Sequence, residues 1–209
     1  MRHGHWLLGA LTALVFAGAA LTGAVGAAKP DFEIRATDRT MGSPKAKVTL
    51  IEYAAFSCPY CAAFNAEVVP LVKKNYIDTG KVQYVFRLFV RMPEDGLAEK
   101  MARCAPKERY FTIADAIFRA QQKWDPELGI KDARAQLVKV GEQQGLNAAA
   151  INKCMDSKAD DARLNAQSQE AMTRYGLTGT PTLVINGQAL ESGGMPFPDL
   201  AKKLDQAAH

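Results

Sequence analysis

The sequence predicts an α/β fold: a β-α-β unit, a block that is helical throughout, and a β-hairpin followed by a closing helix. Three observations predict it. Residues 48–56 are almost continuously apolar or aromatic, as in a strand buried on both faces. Phe64, Val68, Val72 and Tyr76 recur every four residues and form one helical stripe. Asn186-Gly187, flanked by residues 182–186 and 188–191, is a strong two-residue hairpin signal.

Residues 29–47 are polar, are interrupted by Gly42 and Pro44, and read as an extended lead-in to the strand at 48–56. Ser57 is placed to cap a helix starting at Cys58, and Pro70 should kink or divide that helix. Gly80 ends the unit. Val82, Tyr84, Phe86 and Leu88 then alternate with Gln83, Val85, Arg87 and Phe89 as a second strand. A strand, a helix and a strand with short links imply a right-handed crossover and parallel pairing.

From about 96 to 160 the pattern is helical. Leu97, Met101, Cys104 and Ala105 share one face, and Phe111, Ala114, Ile117 and Phe118 share another. A further helix runs through Leu137, Val138 and Gly141, and Gly145 breaks the chain. Asn147 could cap a short helix ending near Cys154. The next helix closes at Gly176, and a last one spans about 198–208.

Arg2 followed by an uncharged stretch from Trp6 to about Leu21, then small residues through Ala28, has the layout of a secretory signal peptide over 1–28. The alternative is an uncleaved anchor, but a spanning helix needs about 20 strongly apolar residues and this stretch is rich in Gly and Ala. The mature protein is therefore expected to be exported. Formal net charge is +4, with charges scattered rather than in runs, so nothing points to nucleic acid. The only histidines are His3, His5 and His209, which argues against a His-assisted nucleophile or a mixed Cys/His metal site. No cofactor or metal is expected. Four cysteines, Cys58, Cys61, Cys104 and Cys154, all follow the leader, and an even number in an exported chain points toward disulfides.

Cys58-Pro59-Tyr60-Cys61 lies where a strand turns into a helix. Free backbone N–H groups and the helix dipole stabilise a thiolate at such an end. Cys58 should occupy the exposed end, with Cys61 one turn further in. Pro59 supplies a φ suited to the first turn. A lone C-x-x-C can also be half of a zinc site or a structural bridge. The first lacks a second C-x-x-C or a His pair, and closing so small a ring adds little stability to the second. Cys104 and Cys154 either pair or remain buried thiols; an oxidising compartment favours pairing.

Without the helical block, the element order is that of a thioredoxin fold. The chain resembles the DsbA family of exported thiol–disulfide oxidoreductases, which have a thioredoxin-like fold with an inserted all-helical domain. The resemblance is carried by the lead-in Met41-Gly42-Ser43-Pro44-Lys45-Ala46-Lys47-Val48-Thr49, the strand Leu50-Ile51-Glu52-Tyr53, the Cys58–Cys61 motif, and Gly179-Thr180-Pro181-Thr182. It implies a thioredoxin-like part at 29–95 and 166–209 and a helical insertion at 96–165.

By the same resemblance Pro181 is a cis-proline beside the reactive cysteines, with Pro59, Tyr60 and Thr180 at the substrate-binding surface. From the residues alone, an ordinary trans turn proline is the alternative. Glu52 matches a buried acid that relays a proton from Cys61, against the alternative of a solvent-facing position. Tyr60 departs from the His of the best-known members, and a phenol lacks a cation's pull on a thiolate. The resemblance also implies a periplasmic location, and the implied partners are folding exported proteins with free thiols and a quinone-linked membrane reoxidant. The isomerase relatives, which also have Thr before the proline and Tyr in the motif, carry an added N-terminal oligomerisation module. Only about 19 residues lie between the expected leader and the first strand, too few for one, so a monomeric oxidant is expected over an isomerase or reductase. A non-enzymatic metal-binding module is the alternative from another class.

Overall fold

The computed structural model describes Met1 and residues 32–209, so the expected leader at 1–28 lies outside the described residues, apart from Met1. Its sheet contains β1 (Arg39–Met41), β2 (Val48–Ala54), β3 (Val82–Leu88), β4 (Thr182–Ile185) and β5 (Gln188–Ala189). Side by side they run β1-β3-β2-β4-β5. β2 and β3 are parallel, with Glu52 opposite Phe86; β2 and β4 are antiparallel, with Glu52 opposite Leu183. The parallel crossover and the hairpin follow the expected pattern. Asn186 at φ 47° and Gly187 at φ 87° are the paired positive-φ residues that a tight hairpin turn requires.

The polar lead-in is not wholly irregular. β1 pairs antiparallel with β3, Arg39 opposite Phe86, as a three-residue edge strand. Its sequence carries no apolar period; backbone pairing places it, with Met41 packed on the large core and Arg39 over the Tyr110 ring at 5.4 Å.

Strand alternation divides the core in two. Leu50, Ala54, Tyr84, Phe86 and Leu88 face a large cluster that includes Met101, Ile113, Ile117 and Trp124 of the helical block. Ile51, Tyr53, Val85 and Val184 face a smaller cluster with Ala171 and Leu177. Arg87, 1% exposed, lies on that second side. Its guanidinium binds both carboxylate oxygens of Asp38 at 2.8 and 3.1 Å and the Glu33 carbonyl at 2.6 Å, which ties the lead-in across the sheet.

Helix α1 (Pro59–Glu67) gives way to α2 (Val69–Val72) and a π-type turn over Lys73–Ile77. The division falls at Val68, just before Pro70, as a ring without an N–H donor dictates. The helical block holds α3 (Pro93–Cys104), α4 (Tyr110–Arg119), α5 (Gln121–Trp124), α6 (Ala133–Gln143) and α7 (Ala148–Met155). Then come α8 (Lys158–Tyr175) and, after the hairpin, α9 (Phe197–Ala207). Asn147 caps α7 by accepting from the Ala150 amide at 3.1 Å, and Gly176 closes α8 at φ 62°. α3 starts three residues before position 96. α8 crosses position 165 unbroken, because no helix breaker occurs until Gly176. A disulfide joins Cys104, the last residue of α3, to Cys154 in α7, with a Cα–Cα distance of 5.9 Å.

Candidate active site

Cys58 is the N-cap of α1, with extended backbone (φ −80°, ψ 118°) and Pro59 in the first turn. The cap is therefore Cys58, one residue later than Ser57. Ser57 is otherwise engaged: its amide donates to Asp95 Oδ1 at 2.8 Å, and its hydroxyl donates to Asp95 Oδ2 at 3.2 Å. Asp95 is fully buried and also accepts the Arg91 and Met92 amides. Gln121 donates to the Phe56 carbonyl at 2.7 Å. Two residues of the helical block thus grip the turn that delivers Cys58. Neither contact was legible in the sequence, since Asp95 reads only as a first-turn acid after Pro93 and its partner lies 38 residues away.

Across from Cys58 stands the Thr180–Pro181 peptide, which is cis. In its thiol form Cys58 donates to the Thr180 carbonyl at 3.2 Å. The amides of Gly193 and Gly194 donate to the Pro181 carbonyl at 2.9 and 3.1 Å, which straps the loop after β5 onto the proline. Gly194, at φ 73°, belongs to this site although the sequence did not mark it. A Cβ there would lie 3.0 Å from Pro181 Cγ. Cys58 is only 4% exposed, a correction to the expected exposed end, while the neighbouring Tyr60 is 69% exposed.

The two cysteines, both free thiols, differ sharply. A hydrogen bond from the Cys61 thiol lowers the Cys58 pKa to about 5; burial opposes this, and Thr180 and the Cys61 and Tyr60 amides add to it. Those amides are the free donors of a helix N-terminus. Cys61 is fully buried, and that burial, with its bond to Cys58 and the nearby Glu52, raises its pKa well above the ordinary thiol value. One sulfur is poised as a thiolate and its partner keeps its proton.

Glu52 sits beneath the pair, 1% exposed, on the face of β2 that meets the large core. Burial raises its pKa to about 7; a hydrogen bond from Tyr84 opposes the rise, and the charge of Cys58 adds to it. The Tyr84 hydroxyl donates to Oε2, and Oε1 has no partner. In the sequence, Tyr84 reads only as one apolar member of an alternating strand. The structure therefore gathers Cys58, Cys61, Pro59, Tyr60, Thr180, Pro181 and Glu52 at one place and sets Cys104 and Cys154 apart. Among the described residues, no three His, Cys, Asp or Glu side chains are grouped to hold a metal ion.

A strand-to-helix C-x-x-C facing a proline loop, on a sheet of this order, defines a thioredoxin-type protein, and the thioredoxin family model matches residues 35–202. The chain belongs to the thioredoxin family. Within that family it is a DsbA-type member. It is similar to Wolbachia pipientis alpha-DsbA1, with a TM-score of 0.75 and 26% identity over 85% of this chain and 94% of that one. It is 27% identical over 168 residues to the thiol:disulfide interchange protein DsbA of Burkholderia cepacia, covering 76% of this chain and 72% of that protein. A Rickettsia conorii protein named for protein-disulfide oxidoreduction is 29% identical over 185 residues, 88% of this chain but 65% of its relative. The chain thus spans just under two thirds of the length of such relatives.

Proposed function

We propose that this chain is a protein thiol–disulfide oxidoreductase that oxidises cysteine pairs of exported proteins through a Cys58–Cys61 disulfide. The observation that carries the proposal is the asymmetry of the pair: Cys58 is lowered to about 5 while Cys61 is raised. A thiol of low pKa is a good leaving group, and disulfide exchange runs toward expelling it. The same asymmetry separates the attacked sulfur from the resolving one.

The oxidised pair is attacked at Cys58 Sγ by a substrate thiolate. The new substrate–Cys58 bond forms as the Cys58–Cys61 bond breaks, and Cys61 leaves with the electron pair. Protonated Glu52 gives that sulfur its proton, because a buried thiolate of raised pKa cannot persist. A second substrate thiolate then attacks the substrate sulfur of the mixed disulfide and expels Cys58 as a thiolate. The substrate loses two electrons and the enzyme gains them. Pro181 and Thr180 border the attacked sulfur, and exposed Tyr60 and Pro59 offer the adjoining surface to substrate.

By family resemblance the protein acts in the periplasm and a quinone-linked membrane protein restores its disulfide. No described helix is long and apolar enough to cross a membrane. The test is oxidation of a reduced, unfolded secretory substrate such as ribonuclease A by the oxidised protein. Cys58→Ala should abolish exchange, and Cys61→Ala should trap a mixed disulfide through Cys58. Alkylation of the reduced protein near neutral pH should label Cys58 first. Preferential labelling of Cys61, or no trapped adduct, contradicts the proposal.

A further inference from the structure

Glu52 is held in an unusual way for a buried acid. It is in a strand, its antiparallel neighbour Leu183 is apolar, and the titratable groups acting on it are Tyr84 from β3 and Cys58 and Cys61 from α1. Among the described residues no ion pair reaches it. Of its two oxygens, Oε2 accepts the Tyr84 hydroxyl and Oε1 is buried without a partner.

Resting on the relay role proposed above for Glu52, we infer that Tyr84 is its positioning residue. The Tyr84 hydroxyl occupies Oε2 and leaves Oε1 as the oxygen that exchanges a proton with the Cys61 sulfur. The hydroxyl is fixed from two sides. The register places Tyr84 opposite Leu50 in the parallel pair, and its ring packs against Phe111 at a centroid distance of 5.8 Å. A carboxyl with both oxygens bare could turn its proton toward either side; with one oxygen occupied it presents a single site.

The choice of a phenol has a chemical consequence. A cation at this place would hold the carboxylate permanently charged and remove it from proton traffic. A neutral donor steadies the charged form only in part, so Glu52 still titrates near neutrality. Tyr84 does not compete as an acid, because burial and then Glu52 push its own pKa well above the ordinary phenol value.

The test follows Glu52 itself in the full-chain protein by ¹³C NMR of its labelled side-chain carboxyl. It is paired with the pH profile of the step in which Cys61 resolves a Cys58–glutathione mixed disulfide. Tyr84→Phe keeps the ring and removes the donor. Its Glu52 midpoint should rise by about one unit, which slows resolution about tenfold below the midpoint. Site-specific 3-fluorotyrosine at 84, a stronger donor of nearly the same size, should move the midpoint down. A purely structural role would change the melting temperature and leave both midpoints alone. Midpoints within about 0.3 units of wild type in both variants overturn the inference. If Glu52→Gln abolishes the pH dependence of resolution while Tyr84→Phe does not shift it, the inference fails and the relay stands. If Glu52→Gln also leaves the profile unchanged, the relay fails and takes the inference with it.

Discussion

Two buried glutamates each accept a tyrosine hydroxyl, and only one of them lies under the cysteine pair. Glu99, 1% exposed in α3, accepts Tyr110 on one oxygen and the Arg103 guanidinium on the other, with Arg163 at 4.0 Å. Glu52, equally buried, accepts Tyr84 and no cation among the described residues. A carboxylate matched by guanidinium charge joins helix to helix and to the lead-in, since Arg103 also donates to the Thr37 carbonyl at 3.0 Å. A carboxylate without that charge is poised to gain or lose a proton. The difference is whether an arginine is within reach, and it separates an acid bound into the scaffold from the acid proposed here as the proton relay.

The contrast extends to the cysteines. Cys104–Cys154 belongs to the scaffold side and closes a 50-residue separation within the helical block. Replacing both by Ala should lower stability by about 4 kcal/mol in the chain-entropy model and leave the thiol-exchange rate nearly unchanged. Denaturant unfolding and the oxidation assay, run on the same samples, check this. A large loss of exchange with little loss of stability would move that disulfide to the reactive side.

Substituting the two acids in turn sharpens the comparison. Glu99→Gln leaves the Arg103 and Arg163 charges undercompensated and should cost about 3 kcal/mol of stability at neutral pH. Glu52→Gln should do the opposite. The folded-state pKa of about 7 lies above the ordinary carboxyl value of 4.5, so the folded protein binds the extra proton. Wild type therefore loses stability as pH rises from 4.5 to 7, by about 3 kcal/mol as an upper bound. The difference between wild type and Glu52→Gln, taken in one redox state, should carry that whole slope. Unfolding curves across this window would break the comparison if both variants were destabilised alike.

The reactive region was the more legible of the two. A strand, a C-x-x-C and an Asn-Gly turn are local signals, and each sits where its chemistry requires. The cis form of Pro181 followed only from the family resemblance, since the residues alone favour a trans turn. Glu52 stood out because it interrupts an apolar run. What remained hidden was long-range. Ser57 looked like a cap because Asp95 and its grip on that turn could not be seen. Cys58 looked exposed because the Thr180 carbonyl that faces it lies 122 residues further along the chain. Tyr84 reads as a core aromatic, since nothing in an apolar period marks which hydroxyl meets a carboxylate. β1 has too few residues to show any period at all.

The central claim is that Cys58 is a stabilised thiolate and that the Cys58–Cys61 disulfide is therefore oxidising. Thiol pKa values of about 3.5 and 7 accompany potentials of about −120 and −270 mV in proteins of this fold. A Cys58 pKa of about 5 lies between them, which points to a potential of about −180 mV. Equilibration of the protein against glutathione, with Cys104–Cys154 verified intact, measures it directly. A value near −180 mV or less negative is the predicted result. A value near −270 mV would make the pair a reductant and contradict the account.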